Sequence, residues 1–340
     1  MTQVLRGNIV HAPEMGRLDI LEHGCLVLED GVITGLYRQL PEELANAEVR
    51  DFGDRILMQS FADMHLHAPQ YPMLGMGMDL PLLDWLNTYT FPTEARFADV
   101  DYARRVYRRL ATDLITNGTT RVCMFSSMHT DATLVLMDEL ERAGVTGYVG
   151  KVNMDRNGLP GKLQETTEES VRETLRWLDG CHFEHVKPII TPRFTPSCTN
   201  ELMTQLGKLA NERGLYVQSH LSENTNEIAW VRELHPDCTQ YWETYNKYGM
   251  WKDHTLMAHC VHSDERERRA IKDAGVVVVH CADSNVNICS GICPVRQMVR
   301  EGLWVTLGSD IAGGAQLPMY KVITMSIRTS KARRVTDDWH

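Results

Sequence analysis

Apolar runs alternate with segments of helical periodicity from residue 55 onward. Eight runs predict buried strands, at residues 61–65, 119–125, 147–152, 186–191, 215–220, 255–259, 275–280 and 303–308. The segments between them predict helices, among them residues 100–117, 130–143, 165–178 and 199–213. This alternation predicts an α/β fold, a (β/α)8 TIM-type barrel over residues 56–340, with active-site groups at the carboxyl ends of the strands. A doubly wound sheet is the alternative, but no G-x-G-x-x-G or Walker motif is present.

The first 55 residues follow a different pattern, of short strands joined by tight turns. Strands are predicted at residues 3–11, 24–29 and 32–37. The turn Glu29-Asp30-Gly31 indicates a hairpin, because glycine readily takes the positive φ that such turns need. Residues 38–54 are polar and are interpreted as a connector. Residues 1–55 are therefore predicted to form a small antiparallel β-sheet domain.

Composition and charge narrow the classes of function. The formal net charge is −10 and the pI is about 5.8, which disfavours a nucleic-acid partner, since nucleic-acid binders usually carry a basic face. No apolar run approaches the roughly 18–20 residues that span a bilayer, and the N-terminus lacks the pattern of a signal peptide. Nine cysteines, with no Cys-x-x-Cys pair, predict reduced thiols in a cytoplasmic protein.

Five polar residues follow apolar runs at positions that suit a metal site. His65 and His67 alternate with Leu66, so a strand directs both imidazoles to one face. A lone His-x-His pair occurs by chance in loops and is weak support. His220, His259 and Asp310 also come at or just after the ends of predicted strands. Imidazole and carboxylate ligands suit zinc or ferrous iron, so the set predicts a catalytic metal centre.

Glu223 lies three residues beyond His220, in Ser219-His-Leu-Ser-Glu223. A carboxyl group there can carry protons between water, substrate and leaving group, as general acid–base catalysis requires. The alternative is a helix-capping carboxylate before a helix over residues 224–234.

Five short motifs give the chain a family resemblance. They are Asp63-Met-His-Leu-His-Ala-Pro-Gln70, Thr191-Pro-Arg-Phe194, Gln218-Ser-His-Leu-Ser-Glu223, Met257-Ala-His259 and Gly308-Ser-Asp310, and together they resemble the amidohydrolase superfamily. The segment from Asp79 to Glu94, with Thr191-Pro-Arg-Phe194, is similar to the guanine deaminases within it. The likeness runs from about residue 50 to the C-terminus and is weaker in the front sheet.

The resemblance implies hydrolytic deamination of guanine to xanthine and ammonia, with one zinc ion per chain and iron as the alternative metal. The implied metal ligands are His65, His67, His220 and Asp310; the implied catalytic residues are Glu223, His259 and Asp310; the implied purine-binding residues are Gln70, Arg193 and Phe194. It also implies a homodimer. Arg193 offers fixed donors to a ring carbonyl oxygen, although it can instead pair a neighbouring carboxylate, and Phe194 can instead be simply core.

Three departures from the family pattern leave alternatives open. Gln59-Ser60 stands where the family usually has Pro-Gly, and His280-Cys-Ala-Asp-Ser-Asn285 where it usually has His-Cys-Pro-x-Ser-Asn. Family members also continue beyond the helix that begins near Leu317, so the front sheet is expected to lack strands here. The alternatives are an amidohydrolase that deaminates or dechlorinates another heterocycle, and a non-catalytic scaffold. The sequence disfavours a nucleic-acid base editor, because the His-x-Glu with Pro-Cys-x-x-Cys zinc signature of those deaminases is missing.

Overall fold

The chain divides into two compact units, Met1–Ser60 and Phe61–His340. The computed structural model describes residues 2–337. The domain boundary drawn from the sequence, between residues 55 and 56, falls inside a strand of the first unit. Among the described residues, no helix combines the length and the apolar character that a membrane span requires.

The first unit is a four-stranded sheet in the order β3-β2-β1-β4. Its strands are β1 (Thr2–Glu14), β2 (Arg17–Glu29), β3 (Val32–Tyr37) and β4 (Glu48–Met58). β1 pairs antiparallel with β2, and β2 pairs antiparallel with β3. At the β2–β3 turn Asp30 and Gly31 have φ angles of 49° and 83°, as a type I′ hairpin turn requires. The hairpin predicted from Glu29-Asp30-Gly31 is confirmed.

The interpretation of residues 38–54 as a connector is wrong. β4 begins at Glu48 and pairs parallel with β1, in the register Gln3↔Glu48, so the sheet is mixed rather than purely antiparallel. A short 3-10 helix (Glu42–Leu44) precedes it. The β4 side chains are mostly exposed and charged, so the strand shows no apolar alternation. Backbone pairing to β1, which no side-chain pattern reveals, holds it in the sheet.

The second unit is built on parallel strands. These are β5 (Phe61–His67), β6 (Thr119–Phe125), β7 (Thr146–Gly150), β8 (Val152–Asn153), β9 (Val186–Pro188), β10 (Thr191–Pro192), β11 (Gln218–Leu221), β12 (Leu256–His259), β13 (Val277–His280) and β14 (Trp304–Leu307). They form two four-stranded sheets, β5-β6-β7-β9 and β11-β12-β13-β14, and a two-stranded pair, β10-β8. All eight predicted strands are present, and two of them are split.

Proline and a close backbone approach explain the splits. Pro188 ends β9 and Pro192 ends β10, and neither can donate a ladder hydrogen bond. Gly150 ends β7, and a Cβ there would lie 1.7 Å from the Thr191 hydroxyl oxygen, so the two segments approach too closely for any side chain at this position. Short stretches of irregular backbone therefore separate β7 from β8 and β9 from β10.

Backbone hydrogen bonds also join the outer strands of the two sheets. The Ile190 carbonyl accepts from Gln218 N at 3.0 Å, next to the start of β11. On the other side, Asp310 N donates to the His65 carbonyl at 2.8 Å, and His67 N donates to the Ile311 carbonyl at 2.9 Å. The segment after β14 thus lies against β5, which brings Asp310 beside the two histidines of that strand.

Helices follow the strands, and the four predicted ones are confirmed within two residues at each end. The helices are α1 (Leu82–Trp85), α2 (Phe91–Ala95), α3 (Val100–Thr116), α4 (Thr130–Ala143), α5 (Thr167–Gly180), α6 (Asn200–Glu212), α7 (Thr225–Leu234), α8 (Glu243–Asn246), α9 (Glu265–Ala274), α10 (Ala282–Asn287), α11 (Val295–Glu301) and α12 (Met319–Asp337). Thr199 caps α6, as its sequence predicts: its hydroxyl accepts from Leu202 N at 3.2 Å. The main core packs between strands and helices and includes Leu66, Tyr107 and Trp177.

Candidate active site

The four predicted metal ligands meet at the carboxyl ends of β5 and β11 and just after β14. His65 Nε2 lies 3.2 Å from Asp310 Oδ1, and His67 Nε2 lies 3.6 Å from the same oxygen. His67 Nε2 is 3.1 Å from His220 Nε2. All four side chains are buried. Three strand ends that are far apart in sequence therefore direct three imidazoles and one carboxylate to a common point.

The protonation states of the three histidines fit a metal ion. Burial, the largest cause, lowers the pKa of His65, His67 and His220 below the ordinary value, so all three are neutral near pH 7. His220 Nδ1 donates to the Arg193 carbonyl at 2.5 Å, which leaves the lone pair on Nε2. His65 Nε2 has no hydrogen-bond partner among residues 2–337. A buried nitrogen without a partner is costly, and coordination of a cation at this point would satisfy it.

Two buried carboxyl groups beside the histidines are driven to opposite protonation states. Burial, and then the charge of Asp310, raises the pKa of Glu223 well above its ordinary value. Burial alone would raise the pKa of Asp310, but the close approach of His65 and the nearby His259 lower it to about 2. The surroundings therefore favour the protonated form of Glu223 and the ionised form of Asp310, the division of roles typical of an acid–base pair.

Glu223 does not cap α7, so the alternative reading of this residue is wrong. The N-cap is Asn224, whose side chain accepts from Asn226 N at 2.9 Å. Glu227 completes a capping box and accepts from Glu223 N at 3.0 Å and from Asn224 N at 3.2 Å. The Glu223 carboxylate points elsewhere: one oxygen accepts from the Ser290 hydroxyl, and the other is 3.5 Å from His259 Nε2.

α10 supplies two contacts that sequence reasoning missed. His259 Nδ1 is 2.9 Å from Asn285 Oδ1; with the proton on Nδ1, the lone pair of Nε2 faces Glu223 and Asp310. The Ser284 hydroxyl donates to Asp310 Oδ2. Both residues belong to His280-Cys-Ala-Asp-Ser-Asn285. In the same segment, Asp283 accepts from Ala315 N at 2.7 Å, and so ties α10 to the segment after Asp310.

On the other side of the pocket, Gln70 and Arg193 meet through a residue that was not predicted, Glu94. Arg193 Nη1 lies 2.6 Å from Glu94 Oε2, and Nη2 lies 3.1 Å from Oε1. Gln70 Nε2 donates to Glu94 Oε1 at 2.8 Å, and Gln70 Oε1 accepts from Ala312 N at 3.0 Å. Arg193 therefore pairs a buried carboxylate and also lines the pocket, so its predicted role in binding a purine stays a prediction. A charge on the apolar helical face Phe91-x-x-Glu94-x-x-Phe97 was the available signal.

Apolar side chains close the pocket between these two polar groups. The lining residues are His67, Gln70, Leu82, Trp85, Leu86, Arg193, Phe194, His220, Glu223, His259, Ile288 and Asp310. Phe194 is 7% exposed and faces the pocket, so it is both buried and available to a ligand. Trp85 is fixed by a hydrogen bond from its indole N–H to the Met76 carbonyl at 3.0 Å. Apolar walls with a few convergent polar groups suit a flat heterocycle.

Known proteins resemble this chain over nearly its whole length. A family model described as the amidohydrolase family matches residues 56–338. The guanine deaminase of Mus musculus is 39% identical over 339 residues, covering 96% of this chain and 75% of the relative. That of Dictyostelium discoideum is 37% identical over 350 residues, covering 97% and 78%. A crystal structure of guanine deaminase from C. acetobutylicum with bound guanine superposes with a TM-score of 0.97 at 44% identity, covering 99% and 81%.

Proposed function

This chain belongs to the amidohydrolase family, and we propose that it acts there as a guanine deaminase, which hydrolyses guanine to xanthine and ammonia. One observation carries the assignment of the chemistry. Three imidazoles and a carboxylate converge beside Glu223, whose burial favours its protonated form, across the pocket from the Arg193 guanidinium. The first group suits hydrolysis, and the second suits recognition of a heterocycle with carbonyl and ring-nitrogen acceptors.

The proposal includes a closed (β/α)8 barrel over the second unit, with the first unit as a separate small sheet domain. The hydrogen bonds from Gln218 to Ile190 and from Asp310 to His65 support closure at the two seams between the parallel sheets. In such a barrel the catalytic groups lie at the carboxyl ends of the strands, where the histidines lie in this chain.

His65, His67, His220 and Asp310 would hold one zinc ion, with iron as the alternative, because neutral imidazole and carboxylate suit both metals. When bound, the ion supplies a Lewis acid that lowers the pKa of a water molecule to about 7. Asp310, ionised in its buried position, accepts the proton that the attacking water gives up. His259 stands between Asp310 and Glu223, with its Nε2 turned toward both carboxylates.

Protonated Glu223 donates a proton to the purine ring nitrogen beside C2, the carbon that water attacks. Protons then pass to the exocyclic amine, which leaves as ammonia, and a carbonyl remains at C2. Arg193 and Gln70 hold the opposite edge of the base, and Phe194 covers a face. Leu82, Trp85 and Leu86 exclude water from the reacting ring.

We also propose a cytoplasmic homodimer with a small-molecule purine substrate and neither a nucleic-acid nor a membrane partner. The homodimer rests on the family resemblance alone. The acidic net charge supports the absence of a nucleic-acid partner, and the nine free cysteines support a cytoplasmic location.

The test is a substrate panel combined with metal analysis. We expect the purified protein to carry about one metal ion per chain and to convert guanine to xanthine with release of one ammonia. Turnover of another aminoheterocycle or of a chlorotriazine, with none of guanine, would mean that the site catalyses a different amidohydrolase reaction. A protein that takes up no metal after reconstitution would be the non-catalytic scaffold.

A further inference from the structure

Glu94 is the one polar residue in the base-binding side of the site for which the reaction has no use. Its carboxylate is 1% exposed and accepts one N–H from each terminal guanidinium nitrogen of Arg193 and one from the side-chain amide of Gln70. The Phe91 ring lies beneath the guanidinium, with 5.1 Å between its centroid and the guanidinium carbon. The Glu94 carboxylate and the Arg193 guanidinium thus form a buried ion pair, which the Gln70 amide and the Phe91 ring enclose.

We propose that Glu94 is a positioning and specificity-determining residue: by neutralising Arg193 and fixing its plane, it makes the pocket select neutral purine bases over anionic ones. The inference rests on the proposed function and goes beyond it, since it explains how a pocket with a buried arginine discriminates against charged purines.

The first step in the argument is charge. A guanidinium is always protonated, and Arg193 is 3% exposed, so without Glu94 it would be a desolvated cation facing a ligand pocket. Such a cation attracts anions strongly, because water cannot screen it. The bidentate contact with Glu94 cancels this charge before any ligand enters.

The second step is geometry. A guanidinium has five N–H donors in one plane. Glu94 takes one from each terminal nitrogen and thereby fixes the direction of the donors that remain. Arginine donors fixed in a plane match the adjacent carbonyl oxygen and ring nitrogen on one edge of an oxopurine, which are both neutral acceptors. The contact with Glu94 therefore both neutralises the charge of Arg193 and directs its remaining N–H donors toward the bound base.

A buried ion pair elsewhere in the fold provides a matched control. Lys151 Nζ lies 2.8 Å from Glu165 Oε2, and these side chains are 0% and 8% exposed. Neither residue lines the candidate pocket. Glu165→Gln therefore leaves a buried cation unpaired, as Glu94→Gln does, but away from the ligand.

The experiment measures competitive inhibition by two oxopurines: hypoxanthine, which is neutral at pH 7, and urate, which is an anion with two further oxo groups. The change of preference between wild type and variants, in which the shapes of the inhibitors are constant, is the quantity compared. The wild type is expected to prefer hypoxanthine. Glu94→Gln should retain its metal, lose roughly 10²-fold in kcat/KM for guanine because Arg193 is misplaced, and shift its preference toward urate by at least about tenfold. Glu165→Gln should lower the melting temperature and leave the preference unchanged.

Two further variants separate charge from position. Glu94→Asp keeps the charge and shortens the reach, so it should raise KM for guanine while the preference for hypoxanthine persists. In an Arg193→Gln background, Glu94→Gln should change the preference no further, because the cation that it would expose is absent.

A wild type that binds urate better than hypoxanthine would overturn the proposal, and so would a Glu94→Gln variant with the wild-type preference and a melting temperature lowered as in Glu165→Gln. Both inhibitors are also measured by calorimetric binding to the metal-loaded protein. If guanine is not a substrate, the proposed function fails, while the binding preference of wild type and variants still decides the role of Glu94.

Discussion

The half of the pocket that is proposed to bind the metal ion (the metal-binding half: His65, His67, His220, Asp310, with Glu223 and His259) differs from the half that is proposed to bind the base (the base-binding half: Gln70, Glu94, Arg193, Phe194). The metal-binding half leaves a ligand nitrogen without a protein partner, whereas the base-binding half bonds its polar groups to one another. His65 Nε2 is buried and makes no hydrogen bond within the described chain. Across the pocket, Glu94 accepts from both Arg193 and Gln70. An ion would satisfy the open nitrogen of the first half, whereas Glu94 already pairs the charge of the second half and leaves the remaining Arg193 donors for a ligand.

The two halves also differ in what fixes their geometry. His65, His67 and His220 lie on strands, and the backbone itself holds Asp310 against His65. The base-binding residues instead come from a 3-10 turn, a five-residue helix and the irregular segment after β10. In that half, side-chain hydrogen bonds to Glu94 fix the positions of Gln70 and Arg193, as the backbone hydrogen bonds of a sheet fix the histidines. We therefore expect changes in the metal-binding half to alter kcat and changes in the base-binding half to alter KM.

The largest effect is expected from Glu223→Gln, which tests the division of roles directly. The amide cannot give up a proton as the buried acid does, so kcat should fall by roughly 10²- to 10⁴-fold. Metal content and KM should stay close to the wild type, because Glu223 is not among the proposed ligands. Glu233→Gln, an exposed glutamate in α7, serves as the control. Turnover near the wild-type rate would remove Glu223 from the chemistry.

Arg193→Met should show the opposite signature. Without its donors, KM for guanine should rise by roughly 10²-fold, and purines that lack the ring carbonyl should be discriminated against less. Metal content should not change, since the metal-binding half gains its geometry from strands. Steady-state kinetics with guanine and with 2-aminopurine measures both effects. A lower kcat with an unchanged KM would mean that the two halves are not separable.

Asn285→Leu probes the contact that orients His259. Loss of the acceptor for Nδ1 frees the imidazole to turn and to exchange tautomers, so kcat should fall by roughly 10- to 100-fold. Asn285→Asp keeps an acceptor oxygen at the same place and should restore most of the rate. Equal losses in the two variants would show that Asn285 acts through packing of α10 and not through His259.

The same contrast explains what could be predicted from the sequence. His65, His67, His220, His259 and Asp310 each come at or just after the end of an apolar run, so the pattern of predicted strands is sufficient to predict that they lie together. The carboxyl ends of parallel strands lie at one edge of the sheet.

The base-binding half had no comparable rule, because its residues lie on turns and short helices whose paths periodicity does not determine. Gln70 and Arg193 were identified only by resemblance, and Glu94, which joins them, was quoted within a motif but given no role. The pairing of β4 was missed for a related reason. Its charged side chains carry no pattern, and its place in the sheet is decided by backbone hydrogen bonds.

The smallest effect is expected from Glu227, a second buried glutamate, and it is an effect on the pH dependence of stability. Glu227 allows a buried carboxyl group without a cation to be compared with Glu94. Glu94 faces a guanidinium, whereas Glu227, 1% exposed, forms no ion pair with any described residue. It accepts only from the backbone N–H groups of Glu223 and Asn224 and from the Tyr241 hydroxyl. Burial, followed by the nearby charge of Glu223, raises the pKa of Glu227 to about 7.

Because the folded-state pKa of Glu227 lies above the ordinary value of 4.5, the unfolded chain gives up this proton first as pH rises. The contribution of Glu227 to stability therefore falls between about pH 4.5 and pH 7 and then levels off, with a slope of at most about 1.4 kcal/mol per pH unit. Glu227→Gln, which does not titrate, should gain roughly 1 kcal/mol relative to the wild type between pH 5.5 and pH 6.5. Denaturant unfolding of both proteins at the two pH values, with Glu233→Gln as the exposed control, measures the difference. A constant difference between Glu227→Gln and the wild type across this range would mean that Glu227 is ionised in the folded protein, held by its hydrogen bonds alone.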